Sequence, residues 1–297
     1  MLDDPMLRKF LEVNSNHRTD RPVAVFDCDG TVIKGDIGEA MLYHQIEHFW
    51  LKTSPARVWP DHPEAHELDR LYGALAEMPP PSRRNHSLYE PFARLILDWY
   101  FGQIAEGQVE KACSDIVRLF SGYSQEEVRA LAQETFLSER GTPLSVRTLG
   151  GYSRPRGIRY IDETVELLKI LQDASFDLWV VSGSNRWSVE SVFTPLGIPP
   201  ERIIGIELAH REGLLIDSVI QPVPVRENKI SALKKKESRI PLLVASDSRN
   251  DIPLFQYSAG LKVYVNSRRK ESTEFFAGTP LSRDDSWVII ERPTLKE

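Results

Sequence analysis

Two aspartates stand one residue apart at the end of an apolar run, in the sequence AVFDCDGT at residues 24–31. Residues i and i+2 of a strand project to the same side, so Asp27 and Asp29 can face one reaction centre from the tip of a strand. One carboxylate can then attack an electrophile while the other carries a proton. Taken alone, the pair is equally compatible with a structural role such as capping the next turn.

Three further polar groups follow in the chain, at the ends of other predicted elements. Ser182 and Gly183 come after an apolar strand, which offers a hydroxyl and an accessible backbone N–H. Lys229 lies early in a predicted helix, and Asp247 and Asp251 follow another apolar strand. Singly, these are an ordinary turn serine, a solvated lysine and helix-capping acids. Together, at the strand ends where open α/β sheets bind ligands, they predict a phosphoryl-transfer site.

The same acids predict a metal ion. Asp27 and Asp247 can give two carboxylates to a hard dication while water and substrate oxygens complete an octahedral shell, which indicates Mg²⁺. The seven histidines and two cysteines form no cluster with zinc-ligand spacing, and no GxxxxGK[ST] phosphate loop occurs. The histidines between residues 36 and 149 are interpreted as surface or core residues: His44, His48, His62, His66 and His86.

The chain divides into two kinds of sequence. Short β-branched runs alternate with helical patterns at residues 21–31 and again from 157 onward, which is typical of a parallel sheet covered on both faces. The segment between them has apolar residues at helical spacing and almost no strand signal. We therefore predict a Rossmann-like, doubly wound α/β core, residues 1–35 and 150–297, with a large inserted helical cap, residues 36–149.

The elements expected within this organisation follow from the same patterns. Helices are predicted at 37–51, 64–78, 88–104, 109–120, 125–137, 162–171, 187–196, 228–235 and 252–257, strands at 177–181, 202–208, 241–245 and 261–265, and a hairpin of 206–209 with 214–220 appended to the sheet.

Composition bounds the class of protein. With 297 residues, 41% hydrophobic and 27% charged, the chain falls in the globular range. Its net charge of -6 argues against a broad nucleic-acid surface, and the basic runs 234–236 and 268–270 are interpreted as solvated. Two cysteines are too few for a disulfide framework. The N-terminus lacks a secretory signal pattern, and no apolar segment reaches about 18 residues. We expect a cytoplasmic protein with a small-molecule partner, no membrane or nucleic-acid partner, and make no prediction of oligomeric state.

Four motifs in order resemble those of the haloacid dehalogenase superfamily of phosphatases, in its phosphoserine-phosphatase-like branch: FDCDGTV, VVSGS, ENKISAL and LLVASDSRNDIPLF. The resemblance implies that Asp27 is the nucleophile and forms an aspartyl-phosphate. It implies that Asp29 is the general acid toward the leaving alkoxide and then the base for the hydrolytic water.

The remaining site residues receive roles by the same resemblance. Ser182 and the Gly183 N–H would hold the transferring phosphoryl group, and Lys229 would neutralise its charge. Mg²⁺ would be held by Asp27, the backbone carbonyl of Asp29 and Asp247. Asp251 would orient Lys229 or a metal-bound water.

Substrate selection falls to the cap in this superfamily. Phosphoserine phosphatases carry a glutamate nine residues after the nucleophile that contacts the substrate ammonium, and the matching residue here is Asp36, with Glu39 nearby. Parts of the sequence are also similar to bacterial phosphocholine-type phosphatases. Cap aromatics could enclose a quaternary ammonium by cation–π attraction, although core packing is the alternative for each: Trp50, Trp59, Tyr72, Tyr89, Phe92, Trp99, Tyr100 and Phe101.

One position departs from the family pattern. The fourth motif usually begins Gly-Asp, whereas this chain has Ser246-Asp247. If the loop required a positive φ at Ser246, the serine would strain it and displace Asp247.

Three functions agree with these motifs. The leading expectation is a Mg²⁺-dependent phosphomonoesterase for phosphoserine or an amino-alcohol phosphate such as phosphocholine or phosphoethanolamine. A phosphotransferase that passes the phosphoryl group to an alcohol acceptor shares every motif. A non-catalytic phospho-ligand binding module is the third, and Ser246 is its only support.

Overall fold

The computed structural model describes residues 4–14, 21–267, 274, 276, 286–291 and 295–296; the basic run 268–270 and most of the segment after Ser267 lie outside these ranges. The helices are α1 Pro5–Asn14, α2 Ile37–Glu47, α3 Pro55–Val58, α4 Ala65–Ala76, α5 Pro80–Arg83, α6 Tyr89–Ala105, α7 Val109–Arg118, α8 Gln125–Gly141, α9 Asp162–Asp173, α10 Arg186–Phe193, α11 Asn228–Lys234 and α12 Ile252–Tyr257. The strands are β1 Val23–Phe26, β2 Ile33–Lys34, β3 Ser145–Leu149, β4 Tyr152–Arg156, β5 Arg159–Ile161, β6 Asp177–Asn185, β7 Ile203–Ile206, β8 Leu208–Arg211, β9 Leu214–Val219, β10 Leu243–Ser246, β11 Leu261–Val265, β12 Trp287–Ile290 and β13 Leu295–Lys296.

A six-stranded parallel sheet in the order β12-β11-β10-β1-β6-β7 forms the centre of the molecule. The first strand, β1, lies between β10 and β6, so the chain winds away from it in both directions. In doubly wound sheets ligands bind at the carboxyl edge where the strand order reverses. The end of β1 is that point.

Both faces of this sheet are covered by helices. Because side chains alternate along a strand, β1 sends Ala24 and Phe26 into one apolar layer and Val23 and Val25 into the other. The first layer includes side chains of α9 and α10, and the second includes side chains of α11 and α12. The predicted doubly wound α/β fold with an inserted helical cap is confirmed.

The cap is built from α2 to α8, and Trp59, Tyr89, Phe92 and Phe120 are fully buried in an apolar cluster that also includes side chains of α10 and β7. Its first helix, α2, ends at Glu47 rather than near residue 51, because the chain turns through a positive φ at Phe49. In the part of the chain that the structure describes, no helix is both long and apolar enough to cross a membrane.

Two hairpins differ from the sequence expectation. The pair β3–β4 begins inside the segment predicted to be helical. Most of its residues are exposed or half-buried, and one of the two buried ones is Arg147, so it lacks the apolar alternation that signals a strand. The pair β8–β9 was expected as an extension of the main sheet but forms a sheet of its own. Leu215 on β9 exchanges backbone hydrogen bonds with the cap at Gly122 and Tyr123, at 2.9 and 2.7 Å, so the hairpin is paired with the cap.

Candidate active site

The two aspartates of the first motif lie at the carboxyl edge of the central strand. The backbone N–H of Asp27 donates to Ala245 O at 3.0 Å, which continues the pairing of β1 with β10. Gly30 then turns the chain with a φ of 81°. The side chains of Asp27 and Asp29 are both buried, with 6% and 8% of the residue exposed. The predicted pair of acids is therefore held at a sheet edge in a low-dielectric environment.

A buried lysine links two of the predicted acids. Lys229 Nζ lies 2.8 Å from Asp27 Oδ1 and 2.7 Å from Asp251 Oδ2. Burial alone would lower the pKa of Lys229, but the carboxylates of Asp251 and Asp27 outweigh it and raise that pKa above its ordinary value. The side chain is thus held as an ammonium beside Asp27.

Asp29 is fixed by donors on both carboxylate oxygens. Ile37 N donates to Oδ1 at 2.7 Å from the first turn of α2, and Ser184 Oγ donates to Oδ2 at 2.7 Å. Ser182 Oγ lies 3.5 Å from the same Oδ2. Burial raises the pKa of Asp29 well above its ordinary value, and Asp36 adds to the increase, while the bonds from Ser184 and Ile37 oppose it. This direction favours a protonated carboxyl group.

A hydrogen bond to Thr31 and close packing against Gly30 place Asp247 beside the first motif. Its backbone N–H donates to Thr31 Oγ1 at 2.9 Å, and Thr31 Oγ1 in turn lies 3.2 Å from Asp27 Oδ2. Its Oδ2 accepts from Ser267 Oγ at 2.6 Å. A Cβ at Gly30 would come within 2.1 Å of Asp247 Oδ2, so only glycine permits this approach. The first and fourth motifs are therefore in direct contact.

A cavity of about 130 Å³ opens above these groups. Eight of the predicted site residues line it: Asp27, Asp29, Asp36, Glu39, Ser182, Gly183, Lys229 and Asp251. Asp247 is fully buried beside Gly30 and does not form part of the cavity wall.

The two acids predicted to select substrate lie on the cap side of the same cavity. The Asp36 side chain caps α2 by accepting from Glu39 N at 2.9 Å. The Glu39 carboxylate accepts from Tyr43 OH at 2.7 Å and from Tyr100 OH at 3.4 Å. A larger cavity of about 530 Å³ shares both acids, so they stand between the two spaces.

The idea of an aromatic cage is not supported. Of the eight cap aromatics, Tyr100 lines the cavity that contains Asp27, whereas Trp59, Tyr89 and Phe92 are packed inside the cap. The histidines behave as the sequence indicated; His44, for example, is buried against Glu139 at 2.8 Å.

Several site residues were missed by the sequence reasoning. One of them is Ser184. Strand β6 continues to Asn185 instead of ending near residue 181, and Ser182 and Ser184 lie in this extension, where the register with β7 shifts. Because these serines are two residues apart on one strand, their common direction was readable from the sequence. Arg226, three residues before Lys229, also lines the cavity, and no sequence signal identified it.

Ser246 causes no strain in the fourth motif. It is the last residue of β10 and does not adopt a positive φ. Its hydroxyl donates to Asp251 Oδ2 at 2.6 Å and accepts from Ser248 N at 3.1 Å. The displacement of Asp247 considered from the sequence therefore does not occur.

Comparison with known proteins supports the interpretation of the motifs. Residues 82–256, more than half of the chain, match the family described as haloacid dehalogenase-like hydrolase; this range contains Ser182, Lys229 and Asp247 and begins after Asp27. No curated protein matches the sequence.

Two solved structures of proteins of unknown function share this fold. A conserved protein of unknown function from Anaerococcus prevotii DSM 20548 superimposes with a TM-score of 0.75 at 17% identity, covering 95% of this chain and 90% of that one. A protein of unknown function from Bordetella pertussis Tohama I gives 0.56 at 15% identity, covering 92% and 99%. A phosphoserine phosphatase carrying a phospho-aspartyl intermediate analogue gives 0.46 at 15% identity, covering 93% and 95%. As the order of its motifs predicts, the chain is an enzyme that belongs to the haloacid dehalogenase-like hydrolase family.

Proposed function

We propose that this enzyme is a Mg²⁺-dependent phosphomonoesterase that acts on a small organic phosphate through an aspartyl-phosphate on Asp27. The observation that carries the proposal is the ammonium of Lys229 between Asp27 and Asp251, in one cavity with Asp29, Ser182 and Gly183. Phosphoryl transfer needs an aligned nucleophile and cationic stabilisation of the equatorial oxygens, and this group supplies both.

The proposed reaction has two steps. Asp27 attacks phosphorus, a bond forms between its carboxylate oxygen and phosphorus, and the ester P–O bond breaks as Asp29 gives its proton to the leaving alkoxide. Asp29 then takes a proton from water, which attacks phosphorus and releases Asp27 as a carboxylate with inorganic phosphate. Lys229, the Ser182 hydroxyl and the Gly183 N–H hold the transferring group in both steps.

The donors near Asp27 fit a magnesium ion. The proposed ligands are the carboxylates of Asp27 and Asp247 and the carbonyl of Asp29, and the missing Cβ at Gly30 lets the Asp247 carboxylate approach the first motif. Within the described residues no group of three or more His, Cys, Asp or Glu side chains is arranged as a metal site, so water and substrate would complete the shell, as Mg²⁺ favours. When bound, the ion would neutralise charge on the phosphoryl oxygens.

The acids on the cap side support a substrate that carries an ammonium group, such as phosphoserine, phosphoethanolamine or phosphocholine. Both Asp36 and Glu39 line the cavity that holds Asp27. A negative wall beside the reaction centre would attract a cationic leaving group, because an ion pair in a partly desolvated site is stronger than one in water.

Asp36→Asn is expected to raise KM for an ammonium-bearing substrate about tenfold, which corresponds to ~1.4 kcal/mol. Asparagine is as good a helix cap as aspartate, so α2 and the melting temperature should change little. The effect is measured by steady-state kinetics, with the exposed Asp69→Asn as the control variant. An unchanged KM for the charged substrate would remove Asp36 from substrate recognition.

Arg226 adds a positive charge to the same cavity wall. A guanidinium together with two carboxylates complements a leaving group that has both a carboxylate and an ammonium. We expect Arg226→Gln to raise KM for phosphoserine about tenfold and KM for phosphoethanolamine less than about twofold. Exposed Arg211→Gln is the matched control. Equal effects on the two substrates would show that Arg226 does not recognise a carboxylate.

A panel of substrates tests the proposed function. Inorganic phosphate release is measured with phosphoserine, phosphoethanolamine, phosphocholine and sugar phosphates, with Mg²⁺ and after chelation. We expect release that requires Mg²⁺ and ranks ammonium-bearing compounds first. Adding an alcohol and finding its phosphate ester in place of inorganic phosphate would indicate the phosphotransferase instead. Binding without any turnover would indicate a non-catalytic module.

A further inference from the structure

Ser246, which departs from the family pattern, contacts Asp251, the acid that also binds Lys229. Ser246 is fully buried, and its hydroxyl donates to Asp251 Oδ2 at 2.6 Å. Lys229 Nζ donates to that same oxygen at 2.7 Å and to Asp27 Oδ1 at 2.8 Å. A continuous chain of hydrogen bonds therefore runs from Ser246 through Asp251 and Lys229 to Asp27.

Each link in this chain is shielded from water. Asp251 is 1% exposed and Lys229 is 5% exposed, so water cannot readily replace a lost donor. Hydrogen bonds to a charged group in such surroundings are stronger than neutral ones, and removal of one partner leaves the other imperfectly satisfied. The orientation of the Asp251 carboxylate is thus set jointly by Ser246 and Lys229.

The position of the Lys229 ammonium depends on that orientation. Both Asp251 and Asp27 accept hydrogen bonds from the Lys229 ammonium, so a shift of one carboxylate moves the ammonium relative to the other. A glycine in place of Ser246 would give no donor at this point. The backbone of the loop does not explain the serine, since position 246 is ordinary extended strand.

We propose that Ser246 is a positioning residue that, by holding Asp251, sets the Lys229 ammonium against Asp27 and the transferring phosphoryl group. This inference rests on the proposed phosphatase function. The simpler alternative is that the hydroxyl only closes the loop through its bond from Ser248 N at 3.1 Å. The two alternatives differ in what they predict for binding of a phosphoryl mimic.

The test uses the full chain with Ser246→Ala and Ser246→Gly, the second of which restores the residue usual in the family motif. Both are expected to lower kcat about tenfold while KM stays within about twofold. Affinity for beryllium trifluoride with Mg²⁺, a mimic of the phosphoryl group on Asp27, is expected to fall about tenfold in calorimetry. Ser258→Ala, a half-buried serine at the end of α12, is the matched control.

A double-mutant cycle separates positioning from loop closure. On an Asp251→Asn background, Ser246→Ala should add less than about a twofold loss, because the residue through which it acts is already altered. The inference would be wrong if Ser246→Gly kept the wild-type kcat and mimic affinity, or if Ser246→Ala still caused a tenfold loss on the Asp251→Asn background. Either result would leave the proposed function standing. A wild-type protein that neither turns over a phosphate ester nor binds the mimic would instead contradict the proposed function on which it rests.

Discussion

Asp27→Asn is expected to lower phosphate release by about 10³-fold or more, because an amide cannot act as the nucleophile. The surroundings should survive the change. An asparagine oxygen can still accept from Lys229, and its NH₂ group can donate to the Thr31 hydroxyl that now bonds the Asp27 carboxylate. Activity should therefore disappear without a comparable loss of the folded state.

The measurement for Asp27 is steady-state phosphate release with the best substrate of the panel, beside a thermal melt of each variant. Exposed Asp217→Asn on β9 is the control for the same chemical change away from the site. Substantial turnover by folded Asp27→Asn would mean that another group attacks phosphorus, and the proposed mechanism would then be wrong.

Asp29→Asn is expected to lower kcat for alkyl phosphates by about 10²- to 10⁴-fold, the usual contribution of a general acid. The loss should be much smaller in the first step for p-nitrophenyl phosphate, whose leaving group departs without a proton. The side chain can keep its place, since asparagine can accept from Ile37 N and donate to Ser184 Oγ.

Pre-steady-state kinetics gives the comparison for Asp29. The burst of p-nitrophenol should persist in Asp29→Asn while the steady-state rate is low, because the aspartyl-phosphate forms but lacks a base for its hydrolysis. An equal loss for alkyl and aryl esters in the burst phase would contradict the role of Asp29 as the acid in the first step.

The sequence indicated which polar residues lie together, because they follow apolar strands of a parallel sheet. The carboxyl ends of such strands meet at one edge, so Asp27, Ser182 and Asp247 had to lie near one another once the strands were identified. Local patterns also predicted the bounds of two elements that follow Asp247: the observed α12 and β11 coincide with the predicted ranges.

The rest depended on contacts between distant parts of the chain. The bond from Ile37 N to Asp29 and the approach of Arg226 to the cavity arise from how the cap and the loop before α11 are placed, which no local pattern encodes. The hairpin β3–β4 has too few alternating apolar residues to be recognised. The cap aromatics were ambiguous because the same side chains suit a core or a ligand cage, and packing decides between them.

The role of Ser246 shows the same limit at the level of one residue. The sequence shows only that a serine replaces the usual glycine, which would strain the backbone if the loop required a positive φ. In the structure Ser246 lies in a strand with a negative φ and donates a hydrogen bond to Asp251. The side chain, and not the backbone conformation, therefore explains why a serine suits this position.

The most direct test of the account is to trap the phosphorylated enzyme. Wild-type protein is mixed with substrate and Mg²⁺, quenched in acid within the first turnover, digested and analysed by mass spectrometry. We expect one added phosphoryl group on the peptide that contains Asp27, and none in Asp27→Asn. Turnover with an unmodified Asp27 peptide, or with the phosphoryl group on another residue, would contradict the central claim.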